Sequence, residues 1–236
     1  MNSKNKKIVI SIGAIAIALA IIFACVYFFK ILPDKKAQEE WARQVREYYD
    51  NKIQLYESEN LILGDNQTDI AFIGDSLTDA YDVKSYYPEY TVTNRGIGGD
   101  TTFGVEERLK VSLFDIKPKV VVMLIGANNM DTMFDNYENI LIKLKENLPS
   151  TKVVLLSLTA MSKEWGRKNQ LACYNNVKIE KYAEKYNFTF VDLYTPLTDL
   201  TTGELYENYT IDGGHFTKEG YDFITSIVKP VVVSLL

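Results

Sequence analysis

The 236-residue chain contains one histidine, His215, in the string Ile211-Asp212-Gly213-Gly214-His215-Phe216-Thr217. Imidazole is the usual base for activating a hydroxyl nucleophile, so a serine that needs such a base must meet this residue. The serine with the most suggestive surroundings is Ser76, in Ile73-Gly74-Asp75-Ser76-Leu77-Thr78, where an apolar run stops at a corner and a more polar, helix-like segment begins. Asp212 precedes the histidine by three positions. It can accept from one ring nitrogen while the other takes the serine proton. Ordinary roles compete with these: Asp75 and Ser76 are good helix N-caps, and a lone loop histidine is commonly solvated.

Two further stretches carry amide donors. In Asn94-Arg95-Gly96-Ile97-Gly98-Gly99-Asp100-Thr101-Thr102 the glycines allow backbone N–H groups to approach a ligand closely, as they would in a phosphate-binding turn or a plain connection. In Gly126-Ala127-Asn128-Asn129 a side-chain amide can face a developing oxyanion or cap a turn. Asp100, Asp192 and Asp199 read as caps or loop acids. The loop Thr159 to Lys168, with Trp165 and Arg167, and the tyrosine-rich stretch Tyr194 to Tyr209 are candidate linings of a substrate pocket, with surface packing as the plainer reading.

These residues need a scaffold that brings them to one edge. Apolar runs at Asp69 to Ile73, Tyr90 to Thr93, Val120 to Ile125, Val153 to Leu158 and Phe188 to Leu193 predict five strands. Helical patterns lie between them, near Thr78 to Tyr86, Phe103 to Phe114, Met133 to Asn147 and Asn169 to Tyr186, and a last one runs from Lys218 to Leu236, where Pro230 should end or kink it. Alternating β and α with near-continuous apolar strands predicts an α/β fold, a three-layer α/β/α sandwich around a parallel sheet. Ser76 then falls past the carboxyl end of the first strand, where open α/β sheets bind ligands.

Four blocks in this order resemble the SGNH, or GDSL-type, hydrolase superfamily. Gly74-Asp75-Ser76-Leu77 resembles its nucleophile block, Gly99 its glycine block, Asn128 its asparagine block and Asp212-Gly213-Gly214-His215 its Asp-x-x-His block. The resemblance covers about Ile70 to Leu236, and Gly96 to Thr102 with the Asn128-Asn129 pair is most similar to the platelet-activating-factor acetylhydrolase-like branch. Two positions depart from the pattern: Asn129 stands where many members have Asp, and Gly214 where a larger apolar residue is frequent. The resemblance implies a flavodoxin-like five-stranded parallel sheet and a triad of Ser76, His215 and Asp212. It also implies an oxyanion hole made by the N–H of Ser76, the N–H of Gly99 and the amide of Asn128, with no cofactor and no metal. The activity it implies is ester hydrolysis, and an outward-facing membrane tether, expected from the charge-free N-terminal run Ile8 to Phe29, suggests short-chain acyl esters, acetyl above all. Alternatives are a lysophospholipase or other lipid esterase, or a glycan O-acetyltransferase, using the same triad. A non-catalytic glycan-binding module is a third.

Composition bounds the rest. Apolar residues make up 47% and charged residues 24%, which fits one globular domain plus a short segment. That segment is at the front: Ile8 to Phe29 carries no charge, and as a helix it would be about 33 Å long, enough to span a bilayer. Lys4, Lys6 and Lys7 precede it, so an uncleaved signal anchor is expected, placing the enzyme domain outside a cell membrane it crosses once. Ile22-Phe23-Ala24-Cys25 leaves a degraded lipoprotein signal as the second reading. The expected divisions are residues 1–32 as anchor, 33–64 as an amphipathic helix and stalk whose stripe from Trp41 to Tyr56 packs on the domain, and 65–236 as the hydrolase domain. The net charge of −5 speaks against nucleic acid as a partner. Cys25 and Cys173 are too far apart in role for a bridge and read as small apolar fillers.

Overall fold

The structure, a computed structural model, describes residue 30 and residues 32–63, 68–165 and 169–236. The expected anchor, Cys25 and Arg167 lie outside the described residues. Among those described, no helix is long and apolar enough to cross a membrane. The chain divides into two compact units, Met1–Asn51 and Lys52–Leu236, and helix α1 (Leu32–Leu63) contributes to both.

The second unit is built on β1 (Ile70–Gly74), β2 (Val92–Gly96), β3 (Val120–Leu124), β4 (Lys152–Leu156) and β5 (Thr189–Val191), all parallel, in the order β2-β1-β3-β4-β5. Chain order reverses at β1, so the crevice beyond the carboxyl ends of β1 and β3 is the switch point where such sheets take ligands. Alternate residues of each strand feed opposite layers. Ala71, Ile73, Val121 and Met123 pack with Val105, Ile140, Leu144 and Ile179, whereas Ile70, Phe72, Val120 and Val122 pack with Leu77, Leu197, Ile224 and Val228. The helices supplying these are α2 (Ser76–Asp79), α4 (Thr102–Glu107), α5 (Tyr137–Asn147), α6 (Asn169–Tyr186), α7 (Tyr194–Leu197) and α8 (Lys218–Ser234), and the short α3 (Val83–Tyr86) adds Val83 to the second layer. A small antiparallel pair, β6 (Thr198–Asp199) and β7 (Glu204–Leu205), follows α7.

Several elements differ from the sequence reading, each for a physical reason. The helix expected over Thr78 to Tyr86 is split into α2 and α3 because Asn94 Nδ2 lies 2.6, 3.3 and 2.9 Å from the carbonyls of Thr78, Asp79 and Tyr81, and Asp82 caps a fresh start. The one expected over Phe103 to Phe114 stops at Glu107 and resumes as a π-turn, Lys110–Phe114. Strand β2 runs on through Asn94 and Arg95, polar residues that read as loop. The Arg95 side chain is fully buried, bonded to Glu59 and Asn60 of α1 and stacked 4.6 Å over the Tyr56 ring. Helix α8 continues past Pro230, which is exposed, as is Ser226, whose carbonyl lacks the N–H a proline cannot supply. Within the second unit, Tyr56 of α1 is buried and Leu55 exposed. Cys173, expected as an apolar filler, is exposed on α6.

Candidate active site

Ser76 sits at the first turn of α2, directly beyond β1. Two glycines let that turn lie on the sheet edge. A Cβ on Gly74 would stand 2.1 Å from the Leu124 carbonyl oxygen, and one on Gly96 would stand 2.2 Å from the Asp79 nitrogen. Asp75, itself buried, caps the helix by accepting from the Leu77 N–H at 3.1 Å. Both sequence roles of the corner therefore coexist, with Asp75 as the cap and Ser76 presented to the crevice.

His215 reaches this serine from the loop before α8. Its Nε2 is 3.0 Å from Ser76 Oγ, and its Nδ1 is 2.7 Å from Asp212 Oδ2. The other oxygen of Asp212 accepts the backbone N–H groups of Gly214 and His215 at 3.0 and 2.8 Å. Burial pushes the Asp212 carboxyl up, but the His215 and Gly214 N–H groups and the imidazole outweigh it and hold the pKa at about 2. An ionised carboxylate can only accept, so Nδ1 carries the ring proton and Nε2 is left to accept from the serine hydroxyl. Such a chain can draw off the serine proton as the oxygen attacks an electrophile.

The glycine loop closes a turn at Ile97–Asp100, where the Asp100 N–H donates to the Ile97 carbonyl at 3.1 Å. Gly99 is its third residue at φ +78°, a conformation that favours glycine, and it is exposed. Asn128 Nδ2 donates to the Asp100 carbonyl at 2.8 Å, tying the loop after β3 to the loop after β2. Asn129, the departure from Asp, uses both ends of its amide: Oδ1 accepts the Thr102 N–H at 3.3 Å and Nδ2 donates to Thr102 Oγ1 at 2.9 Å. The Thr102 hydroxyl donates onward to Asn136 at 2.7 Å. A carboxylate at 129 would compete for that hydroxyl proton.

Trp165 stands beside the histidine. Its ring stands edge-on to His215 with centroids 5.1 Å apart, and its Nε1 donates to the Asp212 carbonyl at 2.6 Å. The second departure, Gly214, has its reason here: a Cβ at this position would lie 2.6 Å from Trp165 Cε2. The loop bearing Trp165 is held by asparagines of α6, Asn176 pairing with the N–H and C=O of Leu158 and Asn169 with those of Met161. In the tyrosine-rich stretch, Tyr209 stacks on Phe223 at 5.0 Å and Tyr206 stands edge-on to Tyr209, which is surface packing.

Sequence reasoning missed Arg108. Its side chain is 1% exposed and forms a buried ion pair with Asp100, which had read as a loop acid. The signal was an arginine three positions after Val105 and next to Leu109, on the apolar side of a helical pattern. Among the described residues no group of three or more His, Cys, Asp or Glu side chains could hold a metal ion.

The model of the GDSL-like lipase/acylhydrolase family matches residues 72–223. Platelet-activating factor acetylhydrolase IB subunit alpha2 of Rattus norvegicus is 35% identical over 103 residues, covering 40% of this chain and 45% of the relative, so the chain spans under half the length of that curated relative. A provisionally named platelet activating factor from Streptococcus pneumonia superposes with a TM-score of 0.77 at 25% identity, covering 84% of this chain and 99% of that one. A GDSL-like lipase from Bacteroides thetaiotaomicron gives 0.70 at 26% identity, with 78% and 98% covered.

Proposed function

The chain belongs to the GDSL-like lipase/acylhydrolase family, and we propose that it is a serine esterase that removes short acyl groups, acetyl foremost, through Ser76, His215 and Asp212. The observation that carries this reading is the hydroxyl–imidazole–carboxylate chain with steps of 3.0 and 2.7 Å. In the proposed reaction Ser76 Oγ attacks the ester carbonyl carbon and His215 Nε2 takes its proton. The imidazolium is stabilised by ionised Asp212. The tetrahedral oxyanion is met by the N–H groups of Ser76 and Gly99 and by the Asn128 amide. His215 then protonates the leaving alcohol, and a water activated by the same imidazole cleaves the acyl-serine, returning the acid and free Ser76.

Short acyl chains are favoured by two supports. The curated relative is named for removing an acetyl group. Trp165, edge-on to His215, walls one side of the imidazole. The family is described as lipase-like, so an acetyl ester on a lipid backbone stands beside an acetylated glycan as the second reading. The charge-free run Ile8 to Phe29 is the ground for reading the enzyme as tethered to a membrane; recovery of the full chain in the soluble fraction after lysis would remove it.

Fluorophosphonate labelling, followed by a panel of nitrophenyl esters, acetylated glycans and lysophospholipids, tests the proposal. Ser76→Ala should abolish both labelling and turnover, and His215→Ala should abolish turnover. Retained turnover in the His215 variant would sink the assignment, since the chain has no second histidine. Each added CH₂ that is buried contributes about 0.8 kcal/mol. A steep gain with acyl length beyond acetyl would therefore overturn the short-chain reading.

A further inference from the structure

Resting on the serine-esterase reading, we infer that Arg108 and Asp100 form a positioning pair that sets the geometry of the oxyanion hole, although neither touches the substrate. Arg108 Nε donates to Asp100 Oδ2 at 2.8 Å, and its NH2 nitrogen donates to the Gly74 carbonyl at 2.9 Å, two residues before Ser76. Its NH1 nitrogen donates to the Arg95 carbonyl at 2.7 Å and to Ser112 Oγ at 3.0 Å. The guanidinium thus gathers the carboxyl ends of β1 and β2. Asp100 completes the set: it follows Gly99 directly, its carboxylate accepts the Thr101 N–H at 2.8 Å, and its carbonyl fixes Asn128 Nδ2. Gly99 and Asn128 are thus each one step from Asp100, covalent or hydrogen-bonded, and Ser76 lies two residues beyond the carbonyl that Arg108 holds.

Its burial argues for position over stability. The two side chains are 1% and 4% exposed. Taking such a pair out of water costs about as much as its attraction returns, and apolar replacements are often neutral or better. A planar fork of donors nonetheless fixes several acceptors at once, which an apolar residue or a lysine cannot do. Room for the carboxylate is built in, because a Cβ on Gly104 would lie 1.9 Å from Asp100 Oδ1.

Arg108→Lys and Asp100→Asn, each alone and combined with Asn128→Ala, test the pair on nitrophenyl acetate. The single variants should lower kcat by roughly tenfold to a hundredfold, less than the roughly 10² to 10³ of losing one oxyanion donor outright, with KM changed by less than about twofold. In the Asn128→Ala background the same substitutions should cost clearly less than they do alone, because one of the three donors they place is gone. Full multiplicative losses in that background, a loss expressed in KM, or an unchanged kcat in a folded variant would overturn the pair's role. So would unfolding of both variants below the assay temperature, which would make the pair structural. Failure of the esterase reading itself would appear separately, as absent turnover and labelling in the unsubstituted protein.

Discussion

Each oxygen of Asp212 has its own task. Oδ1 holds the loop by accepting the Gly214 and His215 N–H groups, and Oδ2 holds the imidazole. An asparagine can keep the first task but presents an N–H to Nδ1 in place of the second. The ring proton must then move to Nε2, which can no longer accept from Ser76. Asp212→Asn should accordingly lower kcat by about 10⁴ with the melting temperature unchanged, the size of the loss when a triad imidazole is locked in the wrong tautomer. A fall of under tenfold in steady-state assays would place the orienting role elsewhere. At this scale the meeting of Ser76, His215 and Asp212 was legible in the sequence, because the chain has one histidine and Asp212 lies three positions before it. Arg108 was not, since its meaning depends on main-chain carbonyls at residues 74 and 95 that only the folded sheet brings near it.

Among the elements, the loops after β4 and before α8 are fastened to each other. The Ser162 N–H donates to the Gly213 carbonyl at 2.8 Å, and Trp165 bonds to the carbonyl of Asp212. Gly214→Ala would drive a methyl into the indole and shift the imidazole that the indole abuts. Turnover should fall on the order of tenfold to a hundredfold, as a misplacement near 1 Å does, and the same substitution should cost less in a Trp165→Ala background. Equal losses in both backgrounds would mean the ring is not what the methyl meets. Helix α6 and the five apolar strands were visible in the sequence because their periodicity is local. The breaks after Asp79 and Glu107 were hidden: the first is made by Asn94, on a different strand, and at the second Arg108 sends its guanidinium to carbonyls on β1 and β2.

For the whole molecule, the second half of α1 is part of the enzyme unit and bonds to the edge strand. Tyr56 donates its hydroxyl hydrogen to the Gly96 carbonyl, Asn60 bonds to Val111, and Glu59 neutralises the buried Arg95. Nothing local to residues 52–63 announces partners 36 to 51 positions away. Glu59→Ala leaves the Arg95 cation buried with less support, so it should lower unfolding free energy by about 1 to 3 kcal/mol, read as a shifted urea midpoint with the slope unchanged. An unmoved midpoint would show that Asn60 and the Tyr56 ring suffice. The chain has two tryptophans, one exposed at position 41 and one against the histidine. An imidazolium quenches indole emission far more than a neutral imidazole does. The fluorescence of a Trp41→Phe protein should therefore dim when the imidazole takes up a second proton and lose that response with His215→Gln. The enzyme would then carry its own optical gauge of the protonation state of its base, readable with no substrate present.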